Sequence, residues 1–227
     1  MAWTCTGKSN FELVNNLAKS GIIKSQRVKE AMLAIDRGDY TMHFPYEDGP
    51  QTIGYGVTIS APHMHGYALE YLQDYLKPGM RGLDVGSGSG YLTACMAEMI
   101  GPTGNVVGID HIEELVAQSR VNVSKQHADW CNNGRVELVV GDGRLGYPAQ
   151  APYDCIHVGA ASDQKPLALI DQLKQPGRLF VPVGTYSQHI MVYDKADDGT
   201  VTEKKVMGVR YVPLTDAGKQ RGADHSY

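Results

Sequence analysis

Apolar residues recur along this chain in two different periods, and the change from one to the other marks its parts. Near the N-terminus Phe11, Val14, Leu17 and Ala18 return every three or four positions, the spacing of one helix face, and the segment closes at Ser20-Gly21. A second helix is expected behind Ser25, a capping residue, with Val28, Met32, Leu33 and Ile35 inward and Gln26, Arg27, Lys29 and Glu30 outward. Residues 39–59 hold no sustained period and are rich in Pro, Gly and Tyr. A stretch of that length within a compact protein is expected to be an ordered loop with a function. Ser60 then stands where a helix cap belongs, with Pro62 in the first turn that tolerates it. The apolar stripe Met64, Tyr67, Ala68, Tyr71, Leu72, Tyr75 and Leu76 carries that helix to Lys77-Pro78-Gly79.

From Arg81 onward, short apolar runs alternate with helical patterns. Strands are predicted at 81–85, 106–110, 135–140, 153–158 and 178–183, and helices at 91–100, 111–126 and 166–174, the last followed by a Pro176-Gly177 turn. Such alternation calls for a parallel sheet covered on both faces. Residues 190–193 and 200–211 are strand-like around Asp197-Asp198-Gly199, a hairpin signal, so the sheet should become mixed at its C-terminal end. The expectation is one α/β domain over 1–227: N-terminal helices and a loop (1–59), a cofactor-binding core (60–184), and C-terminal strands with a tail (185–227).

Composition narrows the class. The chain has 227 residues, 42% hydrophobic and 20% charged, ordinary for a soluble protein with one full core. A formal net charge of -4 gives no general attraction to nucleic acid or anionic membrane. No window approaches a membrane span, and Met1 to Lys8 lack the apolar core of a signal peptide, which points to the cytosol. The cysteines Cys5, Cys95, Cys131 and Cys155 form no Cys-x-x-Cys pair, so structural zinc is not expected. His63 and His65 lie two apart on a helix and point to different sides, with no third ligand in register, so no metal is expected there either.

The candidate chemistry lies after strand 81–85, where Gly86, Gly88 and Gly90 lead into a helix and let a ligand approach bare backbone. Asp110 closes the next strand, the place of a ribose hydroxyl acceptor. The spacing is Gly-x-Gly-x-Gly instead of the dinucleotide form Gly-x-Gly-x-x-Gly, which favours a cofactor without a diphosphate. Asp142, ending the third strand, suits an adenine amine, and Asp84, just before the glycines, suits a methionine ammonium. Together these describe an S-adenosylmethionine pocket, although each aspartate alone serves as readily as a cap or loop residue. An NAD-dependent oxidoreductase shares the cradle and Asp110; the glycine spacing and the lack of a second nucleotide-binding half oppose it. A methyltransferase of RNA or of a small molecule shares the cofactor, but the chain has no Asn-Pro-Pro-Tyr-like motif and no basic surplus. The first two helices, with Lys19, Lys24, Arg27 and Lys29, also have the outline of a DNA-binding helix-turn-helix, against the plainer reading of a helical lid on the main domain.

Several segments together resemble protein-L-isoaspartate (D-aspartate) O-methyltransferases, most nearly the animal enzymes, over almost the whole chain. They are Gln51-Thr52-Ile53-Gly54, Thr58-Ile59-Ser60-Ala61-Pro62-His63-Met64-His65, Leu83-Asp84-Val85-Gly86-Ser87-Gly88-Ser89-Gly90, Gly108-Ile109-Asp110-His111, Val140-Gly141-Asp142-Gly143-Arg144 and Tyr211-Val212-Pro213-Leu214-Thr215. The glycine cradle is common to many methyltransferases; the Ser60 segment and the tail segment are far more specific. The resemblance implies a Rossmann-like S-adenosylmethionine-dependent methyltransferase fold. It puts Ser60 at the active-site position and implies cofactor contacts from Val57, Thr58, Ile59, Ser60, His65, Ser89, Asp110, His111, Asp142, Gly143, Thr215 and Gln220, beside Asp84, Gly86, Ser87 and Gly88 of the cradle. Ile53 and Val212 would flank the peptide with Ser60.

The implied reaction moves a methyl group from S-adenosyl-L-methionine, leaving S-adenosyl-L-homocysteine, to the free carboxyl of L-isoaspartyl and D-aspartyl residues. It begins the repair of damaged peptides and proteins through a succinimide. The implied partners are isoaspartyl-containing peptides and proteins, with no nucleic acid and no membrane, and the chain is expected to be a monomer. Two departures, Gly56-Val57 before Thr58 and the variable loop 185–189, bear on peptide preference more than on chemistry. A substrate carboxyl with a pKa near ~3.9 is already ionised at neutral pH, so no general base is required. Alignment of the reacting atoms and limited access of water suffice.

Overall fold

A computed structural model describes residues 5–223. Residues 1–4 of the stretch read for a leader and residues 224–227 of the tail lie outside it. Seven strands form the central sheet: β3 (Arg81–Val85), β4 (Asn105–Asp110), β5 (Val136–Val140), β6 (Tyr153–Val158), β7 (Leu173–Val183), β8 (Gln188–Lys195) and β9 (Val201–Val209). A separate hairpin is made by β1 (Gln51–Gly54) and β2 (Val57–Ile59). The helices are α1 (Asn10–Lys19), α2 (Gln26–Ala34), α3 (Pro62–Leu72), α4 (Tyr91–Ile100), α5 (Glu113–His127), α6 (Leu167–Asp171) and α7 (Ala217–Ala223). Among the described residues no helix is long and apolar enough to cross a membrane.

The strand order is β5-β4-β3-β6-β7-β8-β9. Pairing is parallel from β5 to β7 and antiparallel for β7/β8 and β8/β9. The chain leaves β3 toward β4 and β5, then returns to lay β6 on the other side of β3. In open α/β sheets the crevice for a ligand opens at such a reversal, beyond the carboxyl ends of the two strands. Here those ends are Val85 and Val158, a registered pair, and the Gly159 amide donates to the Val85 carbonyl at 2.8 Å.

Strand periodicity divides the core. Leu83, Val85, Ile156, Val158, Leu179 and Val181 face one side of the sheet with Leu169 and Ile170 of α6. Val106, Cys155 and Phe180 face the other, under a thicker layer of α1 to α5. α4 is buried along nearly its whole length between the sheet and α2, which accounts for its almost continuous apolar sequence. The fold is thus α/β and mostly parallel, with helices on both faces and a mixed end at β8 and β9.

Four local expectations change. Phe11 is exposed (69%), because α1 turns Asn10, Leu13, Val14 and Leu17 inward; the buried Asn10 amide donates to the Met32 carbonyl at 2.8 Å and so holds the end of α2. Residues 39–59 are not aperiodic throughout, since β1 and β2 close a hairpin over Tyr55 and Gly56, both at positive φ. Ser60 does not cap α3. Ala61 holds the cap position without a side-chain bond, and Asp48 serves instead, accepting from the His63 amide at 3.0 Å and pairing with its Nδ1 at 2.7 Å. Lastly, the helix predicted at 166–174 stops at Asp171. β7 starts at Leu173, and the Pro176-Gly177 turn is a bulge within it, Leu173 facing Tyr153 and Arg178 facing Cys155.

Arg27, expected outward on a basic helix pair, donates to the carbonyls of Gln73 (3.1 Å) and Met99 (3.3 Å). It fastens α2 to the ends of neighbouring helical segments. Glu70 of α3 accepts from the Lys24 and Ser25 amides at 2.8 Å each. The first two helices are packed on the core as a lid.

Candidate active site

The glycine turn after β3 is shaped by backbone that L side chains rarely adopt. Gly88 has φ 50°, and a Cβ there would lie 3.2 Å from Ile53 Cδ1 of the hairpin; Gly90, at φ 84°, starts α4 in the left-handed region. The hairpin therefore sits directly over the turn. The buried Gln220 of α7 donates to the carbonyls of Tyr55 (3.1 Å) and Gly56 (3.2 Å) and ties the tail to the hairpin tip.

Between hairpin, glycine turn and tail lies a cleft with two lobes. One, of about 500 Å³, is lined by Val57, Thr58, Gly86, Asp110, His111, Gly143, Val212, Thr215 and Gln220 among others. The second, of about 340 Å³, continues past Thr58, Gly86 and Gly159 to Ile59, Ser60, His65, Asp84, Ser87, Gly88 and Ser89. An outer groove of about 1050 Å³ runs along Pro50, Thr58, Ser60, His63 and residues 208–212. Thr58, Ser60 and Gly159 line both the second lobe and the outer groove. Ser60 and Thr58 thus bring two hydroxyls to the place where inner cleft and outer groove meet.

Two predicted residues stand apart. Asp142 does not line the cleft: it lies at the rim two residues beyond β5, where it caps the turn 143–145, accepts from the Arg144 amide and pairs with its guanidinium at 2.6 Å, while its neighbour Gly143 forms the wall. Hydrogen bonds from Arg144 hold the Asp142 carboxyl below the usual carboxylate range. Ile53 lies across the glycine turn and lines a separate hollow with Met42, His43 and Lys125, away from the groove beside Ser60.

The other two aspartates are buried and oriented. Asp110 accepts from the Gly88 amide on one oxygen and the Ile112 amide on the other, both at 3.0 Å. Burial raises its pKa, and those two amides offset part of the rise. Asp84 accepts from the Thr93 hydroxyl at 2.6 Å and pairs with His157 Nδ1 at 2.8 Å. β3/β6 register places Asp84 directly beside His157, so neither of these two buried polar residues is left unpartnered.

Around Ser60 the supports come from three elements. Its carbonyl accepts from Arg37 Nη2 at 2.9 Å, and the phenol of Tyr211 lies beside its hydroxyl. Burial pushes that phenol up to about 12, the neighbouring Ser60 hydroxyl opposing the rise. Both polar ends of the Gln188 amide clamp the Tyr211 backbone, at 2.6 and 3.1 Å. His65 is buried beside Tyr91 and hydrogen-bonded through Nδ1 to Arg37 at 3.3 Å; burial first, then Arg37, hold its pKa well below the usual value.

A family model described as protein-L-isoaspartate(D-aspartate) O-methyltransferase matches residues 8–219. The chain belongs to that family. It is 50% identical over 222 residues to the protein-L-isoaspartate O-methyltransferase of Caenorhabditis elegans, covering 97% of this chain and 98% of the relative. It is 51% identical over 218 residues to protein-L-isoaspartate O-methyltransferase 1 of Arabidopsis thaliana, covering 95% of each. A solved protein-L-isoaspartate O-methyltransferase from Plasmodium falciparum, in complex with S-adenosyl-L-homocysteine, matches with a TM-score of 0.86 and 33% identity, over 92% of this chain and 99% of that one. This isoaspartate methyltransferase has the fold of S-adenosylmethionine-dependent methyltransferases, and its activity is methylation of isoaspartyl residues.

The residues present fit the methyl donor. The Ser87 hydroxyl, buried in the second lobe, has no partner among the described residues, and such a group calls for a polar ligand atom. Gly86 and Gly88 bare the backbone next to it, and Asp84 lines the same lobe. Arg37, Thr93, His157 and Tyr211 were missed as functional residues. His157 was legible in principle, as a polar residue at the same penultimate strand position as Asp84, and Tyr211 opens the specific tail segment although nothing marks what it touches; nothing local marks Arg37.

Proposed function

We propose that this isoaspartate methyltransferase acts as one domain over 1–227, in which the first lobe holds the adenosine of S-adenosyl-L-methionine, the second its methionine, and the outer groove a damaged peptide. The observation that carries the reading is Ser60 lining both the second lobe and the groove. When bound, the cofactor supplies an electrophilic methyl group on a sulfonium. Asp110 accepts from ribose hydroxyls with the lone pairs its two amide bonds leave open. Asp84, kept in place by Thr93 and His157, takes the methionine ammonium. His65, Ser87 and Ser89 line the methionine end, and Val57, Thr58, Ile59, His111, Gly143, Thr215 and Gln220 enclose the rest. Asp142, engaged by Arg144, contributes from the rim.

Ser60 donates to the substrate carboxylate and orients it, with Val212 beside the peptide and Ile53 closing the glycine turn. Two ions combine to give neutral products, so the residues need only align the oxygen and limit water; no proton has to be removed. The following backbone amide nitrogen then attacks the ester carbonyl and expels methanol, which leaves far more readily than hydroxide would from the ionised acid, and this closure to a succinimide begins repair. We extend the substrates to D-aspartyl residues and the setting to the cytosol, as a monomer without nucleic acid or membrane.

Incubation with methyl-labelled S-adenosyl-L-methionine and paired peptides differing only in Asp or isoAsp tests the reading. Base-labile label on the isoAsp peptide alone is the expected result; label on neither overturns it.

A further inference from the structure

Among the described residues Arg37 is the largest side chain with no exposed surface, and nothing in the proposed chemistry uses it. A buried guanidinium is costly and is normally offset by a carboxylate. Among the described residues none is within ion-pair distance. Its polar contacts are instead the Ser60 carbonyl (2.9 Å) and His65 Nδ1 (3.3 Å), with the Tyr91 ring 5.5 Å away under the cation. Both bonded residues line the second lobe. Burial lowers the Arg37 pKa to about 10, which still leaves it charged at neutral pH.

We propose that Arg37 is a positioning residue that fixes His65 in its Nε2–H tautomer and anchors the Ser60 backbone, so that one buried fork sets two side chains of the cleft. Guanidinium has only donors, so a hydrogen bond between it and Nδ1 makes that nitrogen the acceptor. In a neutral imidazole the proton then resides on Nε2, which is thereby a fixed donor. Burial and the neighbouring cation keep the ring neutral; around the pair, His63 and His157 disfavour a charged His65, the ionised Asp48 favours a charged Arg37, and Tyr91 and Cys95, both raised by burial, stay uncharged. Lysine cannot span both acceptors in the same planar geometry.

The inference uses the methyl-transfer reading only for what His65 and Ser60 do, and its primary test is independent of turnover. In protein labelled with 15N-histidine, His65 should show an unprotonated Nδ1 and a protonated Nε2 from about pH 5.5 to 8. In Arg37→Met the tautomers should mix, S-adenosyl-L-homocysteine should bind about tenfold more weakly by calorimetry, and kcat/KM on an isoAsp peptide should fall further than that. Arg37→Lys should lie between. A proton on Nδ1 in the unaltered protein overturns the inference even if the variants do not fold. So does a folded Arg37→Met with unchanged affinity and kcat/KM. Absence of transfer to isoAsp by the unaltered protein would count against the function and leave the tautomer result standing.

Discussion

Replacement of Ser60 by alanine removes one hydroxyl and little else. The Ser60 carbonyl stays anchored on Arg37, and α3 keeps its start because Ala61 holds the cap position and Asp48 meets the His63 amide. Stability should therefore change by no more than about 0.5 kcal/mol. What is lost is a hydrogen bond to an ionised carboxylate, worth about 1.5–3 kcal/mol. Expressed wholly in kcat/KM, this is a fall of roughly 10- to 150-fold. The smaller figure is favoured, since the Tyr211 phenol beside it is free to turn its own proton toward the substrate. Initial rates with labelled S-adenosyl-L-methionine and an isoAsp peptide across neutral pH, beside calorimetry with S-adenosyl-L-homocysteine, separate the contributions. Affinity for the cofactor product should hold within about threefold, because the lost bond faces the groove. The pH profile should keep its shape, because an ionised nucleophile needs no base. Unchanged kcat and KM would remove Ser60 from the mechanism. A loss beyond about ten-thousandfold with a new pH slope would make it a proton-transfer group and refute the orientation argument.

Thr93→Val deletes a fully buried donor to Asp84 with almost no change of shape; it should cost about 2 kcal/mol, a Tm fall of roughly 4–8 °C, and weaken S-adenosyl-L-homocysteine binding, whereas an unchanged melt would mean that Asp84 does not need the bond. Asp48→Ala should cost about 1–2 kcal/mol through the start of α3. The Asp48 carboxyl is held below 3.8, burial being outweighed by bonds from His63, so its stabilisation is complete above that value and is lost as pH falls through the lower folded one. Acid denaturation curves of the two proteins should therefore converge at low pH and stay apart at neutral pH. Asp110 has the opposite sign. Burial raises its pKa above 3.8, so the ligand-free protein gains stability as pH falls through the raised value while S-adenosyl-L-homocysteine, which needs the carboxylate, binds more weakly. Asp110→Asn should bind weakly at every pH in the same calorimetric titration, and an unaltered protein whose affinity is flat through that range would exclude a ribose contact.

The order of elements, the parallel sheet with its mixed end, the glycine turn and the strand-end aspartates were legible in the sequence because each depends on a local rule. Helical and strand periods, cap residues and strand-to-glycine junctions act over a few positions, and their errors were local too: the phase of α1, the hairpin within 39–59, and a turn that became a bulge in β7. The cap of α3 illustrates the limit. Ser60 has the right chemistry one residue too early, and the group that meets the His63 amide is Asp48, fifteen residues away. Motif resemblance named most of the residues that line the cleft; Asp142 sits at its rim with Arg144, and Ile53 lies over the glycine turn. What tertiary structure alone decided is how the side chains are held: Asp84 by Thr93 and His157, Ser60 by Arg37 and Tyr211, the hairpin tip by Gln220. These partners are up to 165 positions apart in the chain. A buried polar atom is satisfied by whatever the folded chain brings within about 3 Å, and no local period records which residue that will be.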